Sequence, residues 1–239
     1  GATFAIALSP VLALARESYS GNIANGQVSA WVHLDGDGKI TIFNPAAEMG
    51  QGSMTALAAI IAEEMDAKWE DVTIEFSPIE PETYGLQWGG QLGGPMITVG
   101  SRTVKGYYQA LRQAGAEVRW ILRWNAARSW NAPVEDTTTT PGLVRQLSTG
   151  NTISYGDLAK AGITRPDDIP SQELKDPSQF HLVGQNIPRT DIAAKTDGSA
   201  MYSMDIHVPG MVYAIMERGL VHGASPKLIN REQILKRPG

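Results

Sequence analysis

The sequence has no cysteine. That excludes a disulfide framework, a cysteine nucleophile, a cysteine-ligated iron–sulfur cluster and a covalently attached c-type haem within this chain. Histidine is scarce too. His33, His181, His207 and His222 are scattered, which leaves little room for a multi-histidine metal site. There is no HExxH pair and no EF-hand loop. No Gly-Lys-Ser/Thr completes a phosphate loop, and no GxSxG elbow supports a serine hydrolase. Basic residues are outnumbered 20 to 25, for a net charge of −5, which argues against a nucleic-acid partner or an anionic-membrane footprint.

What is present is globular in composition. Hydrophobic residues make up 42% of 239, with 25 glycines and 14 prolines. That length supports one large core or two small ones. Residues 1–15 are uncharged and end in Ala-Leu-Ala, a signal-peptidase-like pattern. As a helix they would span about 22 Å, short of the ~30 Å hydrocarbon core. Residues 1–27 are therefore expected to be a signal-like or anchoring segment.

Residues 28–162 predict an α+β unit, a mixed or antiparallel sheet with packed helices. Residues 30–34 and 39–43 alternate around Asp35-Gly-Asp-Gly38, a hairpin signal. Leu57, Ile60, Ile61 and Met65 form one face of a helix over 53–65, and Val72, Ile74 and Phe76 alternate as a strand. A long helix follows Thr103, with Val104, Tyr108, Leu111, Gly115, Val118 and Leu122 at helical steps. Arg112, Arg119, Arg123 and Arg128 are expected to be solvated or partner-facing. Trp31, Trp120, Trp124 and Trp130 are expected in the core, with a partner contact as the alternative. A second hairpin is expected at 143–147 and 152–154, then a short helix capped by Ser154. Residues 163–190, rich in Pro, Asp, Ser and Gln, predict a linker across a surface. Residues 200–206 and 211–215 predict strands.

Two helix starts carry the chemical signal: Glu48-Met-Gly-Gln-Gly-Ser53 and Gly100-Ser-Arg-Thr103. Helix N-termini expose unpaired N–H groups that suit an anion. Ser53 and Ser101 are candidate N-caps. Two such starts converging on one place can hold a pyrophosphate, and Arg102 can pair with phosphate bidentately. Two ordinary capped helices are the plainer reading. The spacing Gly50-x-Gly52 also suggests a dinucleotide fingerprint. Its third glycine is missing, and a hairpin rather than a crossover precedes it.

Glu48-Met-Gly-Gln-Gly52, Thr55-Ala-Leu57 and Ala62-Glu-Glu64 resemble the molybdenum-binding subunit of the xanthine oxidase family. The resemblance is to the branch of isoquinoline 1-oxidoreductase beta subunits and membrane aldehyde dehydrogenases. Gly89-Gly-Gln91, Gly93-Gly94 and Gly100-Ser-Arg-Thr-Val104 are similar to its glycine-rich cofactor loop. Leu111–Ala116 and Ser154–Leu158 also match. Ile187-Pro-Arg-Thr-Asp-Ile192, Lys195-Thr-Asp-Gly198 and Pro209–Tyr213 resemble the entry to its hammerhead domain, giving a linker at 163–190 and a hammerhead start at 191–239.

The resemblance implies a molybdenum hydroxylase with molybdopterin cytosine dinucleotide, oxidising an aldehyde or nitrogen heterocycle with oxygen from water. It implies that Gly50, Gln51 and Gly52 contact the pterin or its phosphates, and that Gly100, Ser101, Arg102 and Thr103 contact the dinucleotide phosphates. The partners implied are the rest of the molybdenum-binding subunit, a [2Fe–2S] small subunit and, in some periplasmic members, a haem c cytochrome subunit. A periplasmic, membrane-associated complex is the expected location. The family's catalytic glutamate lies in a downstream loop with no match here, so no catalytic or metal-ligating residue is assigned. Glu48 is expected to be a loop or capping carboxylate. The family subunit is about three times longer, so this chain is expected to be a fragment, a processed piece or part of a split subunit. The alternative function is a non-catalytic assembly or structural subunit.

Overall fold

The computed structural model describes residues 27–225, 227 and 230–237. Residues 1–26 of the segment 1–27, expected to be signal-like or anchoring, lie outside the described residues. The chain divides after Ala193 into two units.

In the first unit, β1 (Val32–Leu34) and β2 (Ile40–Asn44) pair antiparallel with Leu34 opposite Ile40, as the DG-rich turn predicts. Helix α1 (Ser53–Glu64) then carries the chain to β3 (Val72–Phe76), which pairs with β2 in parallel. The sheet is therefore mixed, in the order β1-β2-β3. The expected hairpin β1–β2 is followed by a parallel crossover, β2–α1–β3. A long loop over 45–52 still separates strand from helix, unlike the immediate turn of a dinucleotide fold.

Short helix α2 (Pro81–Tyr84) leads into the glycine-rich segment, and α3 (Thr103–Ser129) follows. Helix α1 lies between the sheet and α3. Leu57, Ala58, Ala59, Ile60, Ile61 and Ala62 are all buried, so the helix is apolar around most of its surface rather than on one face. Gly115 permits the closest approach of α3: a Cβ there would lie 2.5 Å from the Ile61 carbonyl oxygen. The α3 stripe is Tyr107, Leu111, Val118, Ile121 and Leu122; Val104 is exposed and Tyr108 only partly buried. Trp31 is buried against Tyr84, while Trp120 and Trp130 pack on the core from its margin.

Strands β4 (Thr137–Thr140), β5 (Leu143–Gln146) and β6 (Thr152–Ser154) form an antiparallel meander. Strand β4 is a run of four threonines with no apolar alternation, and the sequence analysis missed it. Helix α4 (Tyr155–Ala161) is capped by Ser154 as expected, its hydroxyl accepting from the Asp157 amide. Short helix α5 (Ile192–Asp197) follows later in the chain.

The expectation that the arginines of α3 are mostly solvated or partner-facing fails for three of the four, which are tied within the chain. Helix α1 ends in Glu63 and Glu64, with Asp66 just beyond, and all three are buried. Arg112 pairs with Glu64 through Nε at 2.7 Å, and Arg119 approaches it at 3.7 Å. Arg123 donates to the Thr137 hydroxyl and to the carbonyls of Val134 and Thr137. Only Arg128 of the four is exposed, its guanidinium 4.5 Å from the Trp124 ring centroid.

Segment 163–190 is irregular, as its composition predicts, with a 3₁₀ turn at Pro177–Gln179. It is a strap held by the same carboxylates. Glu63 accepts from the amides of His181, Leu182 and Val183 at 2.9, 2.6 and 3.0 Å. It also receives Lys175 Nζ at 3.0 Å. Glu64 accepts from the Lys175 amide, and Asp66 from Lys175 Nζ.

The second unit holds a 3₁₀ turn (Ser203–Asp205) and helix α6 (Arg231–Leu235). The strands expected at 200–206 and 211–215 are not formed. The Val208–Met211 turn is present, with the Met211 amide donating to the Val208 carbonyl. Its flanks remain exposed, Val212 at 84% and Ile215 at 97%. A lone hairpin with no third strand or helix to cover it has little to stabilise it. No helix among the described residues is long and apolar enough to cross a membrane.

Burial alone would raise the Glu63 pKa. The Leu182 and Val183 amides and Lys175 outweigh it and hold the carboxyl below its ordinary 4.5. Its stabilisation is therefore complete above pH 4.5 and lost as pH falls through the lowered value. Glu63→Gln cannot accept all these bonds and should cost about 3 kcal/mol at neutral pH. Denaturant unfolding across pH 3–7 should show this loss, with a weaker acid dependence than the parent. Equal stability across that range would contradict the assignment.

Candidate functional site

Loop 45–52 is tied down from within. The Gln51 side chain donates to the Ala47 carbonyl at 2.8 Å and to the Ser53 hydroxyl at 2.7 Å. Its oxygen accepts from the Met49 amide at 2.6 Å. The Ala47 amide donates to the Thr98 hydroxyl at 3.0 Å, which joins this loop to the glycine-rich segment.

Ser53 is not the N-cap of α1. That position belongs to Gly52, whose φ of 83° suits glycine. The cap comes from Glu48. One carboxylate oxygen accepts from the amides of Gly50 at 2.7 Å and Gly52 at 3.0 Å; the other accepts from Met54 at 3.0 Å. Burial and nearby Asp191 push the Glu48 pKa up, but the three amides prevail and lower it. An internal anion thus fills the anion-attracting end of α1.

The second helix start differs. Gly100 and Ser101 both have positive φ, 61° and 52°. Arg102 takes the N-cap position of α3, so Ser101 is not the cap. No side chain caps this end, and its first turn has no acidic residue. Its first amides lack intrahelical acceptors. The Arg102 guanidinium turns toward the glycine-rich segment. It donates to the carbonyls of Leu86 and Gln87 and lies 4.4 Å from the Trp88 ring centroid. Its Nη1 is buried without a hydrogen-bond partner.

The two starts do converge. They open on a cavity of about 420 Å³ lined by Gln51, Gly52, Gly100, Ser101 and Thr103, all named from the sequence. Gly50 and Arg102 are not in its wall. Met49, Ser53, Ala56, Thr98, Val99 and Val104, none of them among the expected cofactor contacts, supply the rest of the lining. Met49 is 70% exposed and Val99 50%, and the signal the sequence offers for both is an apolar residue set directly before a loop glycine. Open helix-start amides, hydroxyls and apolar walls in one concavity suit a group with phosphates at one end and a flat ring system at the other.

A larger cleft of about 620 Å³ lies along the strap, lined by Arg119, Arg123, Lys175 and Thr137–Thr139. Its cations are already held by carboxylates, carbonyls and a hydroxyl of the chain. It is a polar seam. Among the described residues, no group of three or more acidic or histidine side chains is placed to hold a metal ion.

Removing the Glu48 cap should cost about 1 kcal/mol, as for other N-cap losses. Glu48→Ala should show this in urea unfolding at pH 7, and Glu48→Gln should recover only part of it because it lacks the charge. Unchanged unfolding in both would contradict the capping role.

Residues 2–207 match the family described as "Molybdopterin cofactor-binding domain". The chain is 33% identical to the isoquinoline 1-oxidoreductase subunit beta of Brevundimonas diminuta, over 91% of this chain and 32% of that protein. It is 35% identical to a membrane-bound aldehyde dehydrogenase (pyrroloquinoline-quinone) of Gluconacetobacter polyoxogenes, over 77% of this chain and 23% of the relative. The chain thus spans a third or less of the length of these curated relatives. Among solved structures, quinoline 2-oxidoreductase from Pseudomonas putida 86 matches 54% of this chain and 15% of its own, at 23% identity and a TM-score of 0.42. With its glycine loops, its paired helix starts and a family match over most of its length, this chain belongs to the molybdopterin cofactor-binding domain family.

Proposed function

We propose that this chain forms one wall of a molybdopterin cytosine dinucleotide site in a molybdenum hydroxylase complex that oxidises an aldehyde or nitrogen heterocycle. The observation that carries this reading is the shared cavity of the two helix starts. When bound, the molybdenum centre supplies the oxidation, with oxygen taken from water. The residues of this chain bind and orient. The open start of α3 takes the pyrophosphate, because Glu48 already occupies the start of α1. Ser101 and Thr103 lie at that open start, and Gln51 and Gly52 form the facing wall.

The catalytic base belongs to the part of the subunit beyond these residues. The partners in this reading are that remaining part and a [2Fe–2S] subunit, with a cytochrome c subunit as in some periplasmic members of the family, in an exported, membrane-associated assembly. A non-catalytic assembly subunit is the second reading. It is favoured by the commitment of Gln51 and Arg102 to bonds within the chain.

Ser101→Asp separates the two. Aspartate tolerates positive φ, so the fold should persist. Its charge beside a pyrophosphate should lower pterin content of the purified assembly by about tenfold or more. Ser101→Asn should retain it. Unchanged pterin in Ser101→Asp, or release of pyrroloquinoline quinone instead of a pterin from the parent, would contradict the first reading.

A further inference from the structure

The strap that Glu63 and Glu64 hold at the C-terminal end of α1 also reaches its N-terminal end. There Arg189 meets the loop that opens the helix. Its Nε and Nη2 bind the two oxygens of Asp191 at 3.0 and 2.7 Å, a bidentate pair that fixes the guanidinium plane. Nη1 donates to the Gly50 carbonyl at 2.9 Å. Nη2 lies 3.4 Å from the Glu48 oxygen that also accepts from Gly50 and Gly52. The guanidinium packs against Gly52, where an added Cβ would come within 3.8 Å of it. One residue on, the Thr190 amide donates to the Thr55 hydroxyl at 3.1 Å.

We propose that Arg189 is a positioning residue for the cofactor-facing loop 48–52, locking the Glu48 cap and the Gly50 carbonyl in one arrangement. The geometry has a physical logic. Glu48 must hold three amides at once, and its loop is exposed around Met49, Gly50 and Gln51. A flexible loop would spend its glycine freedom in many conformations. Arg189 contacts both the carboxylate and the peptide that turns toward it, so the loop keeps one shape. A lysine supplies the charge without the planar fork, so it lacks the fixed geometry that pairs both oxygens of Asp191 while a third N–H reaches Gly50. The consequence for pterin retention rests on the proposed cofactor reading; the hold on the loop does not.

The test is amide hydrogen exchange on the full chain in its native assembly, with cofactor release measured alongside. Arg189→Ala should speed exchange at Gly50, Gly52 and Met54 by about tenfold or more, the loss expected for a charge-assisted bond. Exchange in 57–62 and 181–183 should stay unchanged, and pterin should dissociate faster. Arg189→Lys should leave most of the acceleration in place. Unchanged exchange at the three loop amides overturns the proposal, as does equal acceleration along α1 and the strap, because Arg189 would then only support the fold. Full rescue by lysine also overturns the role of the fork. If the parent assembly holds no pterin but the loop amides respond as described, the cofactor reading fails and the positioning role stands.

Discussion

The fold depends on the burial of two carboxylates, Glu63 and Glu64, at the end of a helix whose buried middle, residues 57–62, is apolar. Buried charge is costly unless every oxygen finds donors. Here the donors come from two distant parts of the chain, Arg112 and Arg119 on α3 and Lys175 with residues 181–183 on the strap. Those contacts settle where the strap lies and help fix α3 against α1. The site then sits at the other end of the same helix. A constraint about 15 Å away along α1 therefore bears on the shape of the loop that faces the cavity.

The two helix starts look equivalent in sequence, yet they are electrostatically different. The start of α1 is neutralised by Glu48, and that of α3 is open. A dinucleotide needs one strongly anion-attracting point and one shaped, less charged wall for its ring system. In the proposed reading, the asymmetry supplies both within one cavity. The family resemblance gave the pterin or its phosphates to residues 50–52 and the dinucleotide phosphates to residues 100–103, without this electrostatic reason.

Much of this was legible locally. The DG-rich turn placed the first hairpin, the steps of Leu111, Val118 and Leu122 placed α3, and the glycines marked both loops. The convergence of the two starts was one reading of their shared chemistry, with two ordinary capped helices as the plainer one. What escaped was non-local. Arginines on a helix look solvated until carboxylates 48 residues away in the chain meet them, as Glu64 meets Arg112. Ser53 and Ser101 satisfied the capping preference, but Glu48 reached past one and positive φ displaced the other. Four threonines gave no periodicity, so β4 was invisible until β5 paired with it.

The central claim is that the open start of α3, and not that of α1, receives the cofactor's phosphates. A cryo-electron microscopy structure of the intact assembly as isolated tests it most directly. The account predicts pyrophosphate oxygens about 3 Å from the first amides of α3, with Glu48 still capping α1. Phosphates seated on the amides of Gly52 and Met54 with Glu48 swung away would contradict it, as would a cofactor that touches neither loop.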